Sequence, residues 1–169
     1  MVYRVNVEHI SRFLQEVDVF RGLSERHLLR IAALCEEETF GAGERLTTRD
    51  ERGAKLYVLR TGELKVSTGS RESDVVLRTL YEKETFPLAI FMEPPTLLTT
   101  NEAITDIEAY TMSRVRLLEL CELETRIGLH IYKACFTLLM SRYRYALAEL
   151  ADLMEPGTRI NPAWKGAEV

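Results

Sequence analysis

The sequence is short of the residues that most often carry chemistry. Its three histidines, His9, His27 and His130, are scattered, with no HxH or HExxH spacing, so a site built on clustered imidazoles is excluded. The three cysteines, Cys35, Cys121 and Cys135, form neither a CxxC pair nor an even set. That makes a poor disulfide framework and a poor zinc site, and small apolar fillers in a reducing compartment are expected instead. Gly-x-Ser-x-Gly elbows, phosphate loops and nucleophile triads are missing as well, which argues against an enzyme. No apolar run reaches the ~18 residues of a membrane span. The longest candidate, Leu129 to Met140, is broken by His130 and Lys133. The opening MVYRVNVEHI lacks the basic and apolar blocks of a secretion leader. Positive charge is not in excess: 22 Lys and Arg stand against 26 Asp and Glu, a net charge of −4, which excludes a generally basic coat for nucleic acid. What remains is a soluble, cytoplasmic chain of 169 residues, enough for one domain and a short appendage.

What is present changes period along the chain. Val7, Ile10, Phe13, Leu14 and Val17 follow the 3.6-residue period of a one-sided helix. A second helix is expected from Ser24, whose hydroxyl can cap free amides, with Glu25 at the positive end of the dipole. From Glu37 to about Met112 the pattern becomes short runs of Val, Leu, Thr and Tyr between Gly and Pro, the sign of an antiparallel roll of about eight strands. Lys55–Leu59 and Glu63–Val66 flank Arg60-Thr61-Gly62 and read as a hairpin. Leu98 to Ile104 and Ile107 to Met112 supply the last strands, while Phe86-Pro87-Leu88-Ala89-Ile90-Phe91 reads as a single helical turn inserted between strands.

The last periodic segment, from about Glu122 to Met154, is a long helix with two apolar stripes. One, containing Ile127, Ile131, Ala134 and Leu138, is expected to pack on the roll. The other, Leu139, Tyr143, Ala146, Leu150 and Leu153, has the 4-3 spacing of a coiled-coil seam and predicts a homodimer. Residues 155–169 read as a polar tail carrying Trp164. A helix-turn-helix needs about 60 residues, so DNA binding by this chain is not expected.

The order of elements and several residues together resemble the cyclic nucleotide-binding domain, the sensor half of the catabolite-activator and Fnr-type regulators. The resemblance runs from about Phe20 to Leu153. It is carried by Phe20-Arg21-Gly22-Leu23-Ser24, Phe40 with Gly43-Glu44, and Gly53 leading to Leu56-Tyr57-Val58-Leu59. Gly62-Glu63, Leu77 with Leu80, and Ala103-Ile104-Thr105-Asp106 complete it. It implies an α+β, mainly β fold: an antiparallel jelly roll with N-terminal helices and a long C-terminal helix, filling residues 1–154.

The resemblance also implies a phosphate cassette, and there this chain departs from the pattern. The family run Phe-Gly-Glu-x-Ala-Leu presents backbone amides to the cyclic phosphate, its glutamate holds the ribose, and an arginine about nine residues later pairs with the phosphate. Here the cassette positions are Phe86, Pro87, Leu88 and Ala89, then Leu97, Leu98, Thr99 and Thr100. Pro87 stands for the glycine, Leu88 for the glutamate and Leu97 for the arginine. Between Arg78 and Arg114 the only basic residue is Lys83. Losing two charge-assisted contacts costs about 3–5 kcal/mol, or two to four decades of affinity. The expectation is a stand-alone regulatory module that acts through protein–protein interaction, with Leu88, Leu97 and Leu98 filling the old pocket. The alternatives are a sensor of a small apolar ligand and a cyclic nucleotide held in a non-standard way. Met92 is the only His, Cys or Met between Tyr81 and Met112, so haem is a poor fit and no cofactor is expected.

Overall fold

The computed structural model describes residues 6–70 and 73–154. The tail and its Trp164 lie outside the described residues. Asn6 caps helix α1 (Val7–Leu14), its side chain accepting from the amide of His9. Ser24 caps α2 (Glu25–Ala32) by accepting from the amide of His27, with Glu25 in the first turn, as its sequence position predicts.

Eight strands follow: β1 (Glu36–Phe40), β2 (Arg45–Thr47), β3 (Lys55–Thr61), β4 (Leu64–Ser70), β5 (Ser73–Leu80), β6 (Thr85–Phe86), β7 (Thr100–Ala103) and β8 (Ile107–Ser113). They form two antiparallel sheets in the orders β1-β8-β3-β6 and β2-β7-β4-β5. The roll interior is packed by Tyr57, Leu59, Leu64, Val66, Phe86 and Ile107, among others. In β3 the run Leu56–Leu59 is buried without alternation, because the outer face of its sheet is covered too. Phe13 of α1 meets Tyr110 of β8 edge-on at 5.4 Å.

The expected hairpin between β3 and β4 does not form. These strands belong to different sheets, β3 pairing with β8 and β6, and β4 with β7 and β5. The chain changes sheets at Gly62, whose φ of +92° only glycine adopts without strain. Glu63 then anchors the corner, its amide donating to Thr105 Oγ1 at 3.0 Å and its carbonyl accepting from Ile104 at 2.9 Å. Of the expected turn Arg60-Thr61-Gly62, Arg60 and Thr61 instead complete β3 and only Gly62 turns the chain.

β5 is an edge strand. Val75, Val76 and Leu77 are all exposed, and the register of β4 against β5 shifts between Val66 and Ser67, leaving Leu77 unpaired as a bulge.

After β8 come α3 (Arg114–Leu123) and α4 (Thr125–Leu153); α3 was not expected. In Thr125–Cys135 the buried residues are Ile127, Gly128, Ile131 and Cys135. All three cysteines are buried and in no disulfide, and burial pushes the Cys35 thiol up to about 12 and that of Cys121 to about 11. They are packing residues. The chain separates into two compact units with the boundary between Cys135 and Phe136. In the second, Phe136, Leu139, Tyr143, Leu150 and Leu153 are exposed. No helix of the described residues is long and apolar enough to cross a membrane.

Candidate functional site

The first limb of the cassette is set by β6. Its two pairs with β3, Tyr57↔Phe86 and Val58↔Thr85, place the Phe86 ring flat on Tyr57, with centroids 5.1 Å apart. The Thr85 hydroxyl donates to the Asp18 carboxylate in the α1–α2 connection, and Lys83 pairs with Glu16 in the same connection at 2.7 Å. Pro87 caps a 3-10 turn, Leu88–Phe91, instead of occupying its first position. Leu88, Ala89 and Ile90 of this cassette turn are buried.

The second limb is laced to the β2–β3 loop. Asp50 donates its amide to the Leu97 carbonyl at 2.8 Å, Leu97 to Glu51 at 2.9 Å, and Gly53 to Pro95 at 2.8 Å. Loop and cassette leave no room for a side chain at Gly53: a Cβ there would lie 2.9 Å from both Ile90 Cγ2 and Leu97 Cδ2. Leu97 is buried, but Leu98 is 59% exposed, so the expectation that Leu98 fills the pocket is corrected. Adjacent residues of an extended segment point to opposite faces, and burying Leu97 turns Leu98 outward. Thr99 and Thr100 are half-buried, and Thr100 Oγ1 accepts from the Arg49 amide at 3.1 Å.

Between these limbs and β3 lies a cleft of about 190 Å³. Of the sequence-predicted site residues, Pro87 and Leu97 line it; Phe86, Leu88 and Ala89 are buried outside its lining. Tyr57 shares the wall, and Glu51, Arg52 and Lys55 bring charge. Basic groups do therefore reach the cassette, Arg52 and Lys55 coming from outside the stretch Thr79 to Ser113.

Each of these cations already faces an acceptor. Lys55 Nζ pairs with Glu38, whose same oxygen accepts from Thr111 Oγ1 at 2.7 Å. Burial pushes the Glu38 carboxyl up, but those hydrogen bonds outweigh it and hold the group below its usual range. Arg52 lies 3.9 Å from Glu93. Arg114, the first residue of α3, donates through Nε to the Ile90 carbonyl at 2.8 Å and through Nη2 to that of Met92 at 3.2 Å, and pairs with Glu93 at 2.9 Å. Nothing local in the sequence marks Arg114 as part of the cassette; it arrives because β8 ends beside the turn. Among the described residues no group of three or more His, Cys, Asp or Glu side chains is placed to hold a metal ion.

The sequence model of the cyclic nucleotide-binding domain matches residues 37–124, just over half the chain. The chain belongs to the cyclic nucleotide-binding domain family. That family is one of regulatory, ligand-binding domains, and the two-sheet roll with its flanking helices is this family's fold. Among solved structures, a putative cyclic nucleotide-binding protein from Geobacter metallireducens is similar with a TM-score of 0.69 and 17% identity, over 79% of this chain and 97% of that one. The sensor domain of the transcriptional regulator DNR from Pseudomonas aeruginosa gives 0.64 and 21%, over 90% and 98%. A regulatory subunit of a cAMP-independent protein kinase A from Trypanosoma brucei gives 0.70 and 19%, over 85% and 51%. No curated protein matches the sequence.

Proposed function

We propose that this cyclic nucleotide-binding domain is a regulatory module whose cassette no longer engages a cyclic phosphate, and whose output is a protein–protein contact. The observation that carries the proposal is how the cassette is occupied. Pro87 and Leu97 narrow the cleft to about 190 Å³, below the ~300–1,000 Å³ of ordinary small-molecule sites. The nearby cations are engaged by Glu38, Glu93 and backbone carbonyls. An incoming phosphate would have to displace those acceptors, with no arginine at position 97 to offset the loss. A regulatory subunit of the same fold belongs to a protein kinase A described as cAMP-independent, and its solved structure is a triple mutant with cAMP bound in the A site. The module works by binding, not catalysis.

Titration calorimetry with cyclic AMP and cyclic GMP tests this reading. No binding heat is expected up to about 1 mM ligand, a free energy weaker than about 4 kcal/mol. A Kd below about 10 μM overturns it.

The partner we propose is a second copy of this chain. In Phe136–Leu153 the exposed residues Leu139, Tyr143, Ala146, Leu150 and Leu153 repeat with 4-3 spacing, the seam of a two-stranded coiled coil. Light scattering after gel filtration is expected to give twice the 19.4 kDa chain mass at about 50 μM, because association follows mass action. A clean monomer removes the homodimer.

A further inference from the structure

The cassette turn is a short 3-10 element, and such an element cannot satisfy its own last carbonyls. Here the carbonyls of Ile90 and Met92 both accept from the Arg114 guanidinium. The planar fork of arginine suits two acceptors side by side in a way a lysine ammonium does not. Arg114 is itself fixed. Its amide donates to the Ala54 carbonyl at 2.8 Å, it begins α3 directly after β8, and its side chain is only 19% exposed. Glu93, by contrast, is 75% exposed, so its ion pair is screened and adds little. The same turn makes one more contact with the C-terminal helices: the Phe91 ring meets Tyr132 of α4 edge-on at 5.5 Å.

We infer that Arg114 is a built-in lock, a guanidinium that holds the cassette turn against α3 and the start of α4 with no ligand present. The turn and the helices then share one position, fixed from within the chain. The lock does not depend on what the cleft binds. It makes Arg114 a positioning residue, and it places the moving part of any switch at the two carbonyl contacts. Glu93, paired with Arg52 on one side and Arg114 on the other, sits at the exposed edge of the lock, which rests on the two carbonyl contacts.

Hydrogen–deuterium exchange of the full chain tests the lock, comparing wild type with Arg114→Ala. Peptides covering residues 86–96 are expected to exchange about tenfold faster in the variant, because the turn loses both carbonyl contacts. The β4–β5 strands, remote from Arg114, should stay within about twofold of wild type. That contrast separates a local lock from a general loss of stability. Acceleration of residues 86–96 below about fivefold, or equal acceleration of β4–β5, overturns the inference. If Arg114→Ala does not fold, Arg114→Lys carries the test. It keeps the charge but only one compact donor group, and about threefold faster exchange confined to residues 86–96 is expected. Any smaller or non-local change overturns the lock.

Discussion

Gly62→Ala is expected to lower the stability of the roll by about 2–4 kcal/mol, a large share of the ~5–15 kcal/mol that holds a domain of this size together. Two effects meet at this residue. An L side chain at a φ of +92° costs about 1–2 kcal/mol. In addition, the new Cβ would run into the Asp106 backbone carbonyl oxygen and lie 3.0 Å from both Ile107 Cδ1 and Thr105 Oγ1. The carbonyl belongs to the corner between β7 and β8 and cannot swing aside as a side chain would, so overpacking adds about 1–3 kcal/mol. Removing glycine's freedom from the unfolded chain returns about 0.4–1 kcal/mol. Gly43→Ala is the control. Its φ is +85°, but nothing lies within 4 Å of its Cβ, so only the backbone part, about 1 kcal/mol, should appear. Urea unfolding of the two variants decides the matter; a Gly62→Ala loss no larger than that of Gly43→Ala would sink the argument.

Restoring charge chemistry to the cassette should produce the largest change in binding. The combination Pro87→Gly, Leu88→Glu and Leu97→Arg is expected to bring cyclic AMP affinity from weaker than about 1 mM to about 100 μM or tighter. The reasoning is additive. A guanidinium at position 97 reaches the cleft, which the Leu97 side chain already lines, and gives the phosphate a charge-assisted partner worth about 1.5–3 kcal/mol. Position 88 lies outside the cleft lining, next to the cleft-lining Pro87, so a carboxylate there adds a ribose contact of similar size only once Pro87→Gly lets the turn re-form around the nucleotide. The opposing cost is local: Leu88 is buried, so the introduced carboxylate is destabilising until something hydrogen-bonds it. The variant should therefore melt lower than wild type when empty and recover on adding nucleotide. A folded triple variant that shows neither binding heat nor ligand-dependent stabilisation at about 1 mM would mean that these positions do not face the ligand space.

Much of the fold was legible because its signals are local. Ser24 before an apolar-periodic run fixes a helix start through one hydrogen bond, and the longer strands β3, β4, β5 and β8 declare themselves by runs bearing Val, Leu or Tyr between turn residues. Gly62 sits at a turn, but whether the chain returns beside β3 or leaves for the other sheet depends on partners more than 40 residues away, Ala103 for β4 and Glu108 for β3. No local pattern encodes that choice. Helix α3 escaped notice because Val115 and Leu123 are exposed while Leu117, Leu120 and Cys121 are buried, so its apolar residues draw no one-sided stripe. At the cassette, the loss of the glycine, glutamate and arginine positions was plain from residue types alone. Arg52, Lys55 and Arg114 were not, since they reach the site from other strands and loops. Leu98 was misplaced for a simpler reason: adjacent leucines were read as sharing a pocket, although an extended backbone turns them apart.

The bulge in β5 bears on how this protein behaves in crowded solution. Three consecutive exposed apolar residues on an uncovered edge, Val75, Val76 and Leu77, are what a straight strand would offer as a template for stacking into aggregates. The register slip at Leu77 bends and twists that strand, and Asp74 and Arg78 bracket the apolar run with opposite charges. An edge that is both crooked and flanked by charge offers an incoming strand few hydrogen bonds in register. An irregular edge of this kind is a poorer template for fibril growth than a straight one would be.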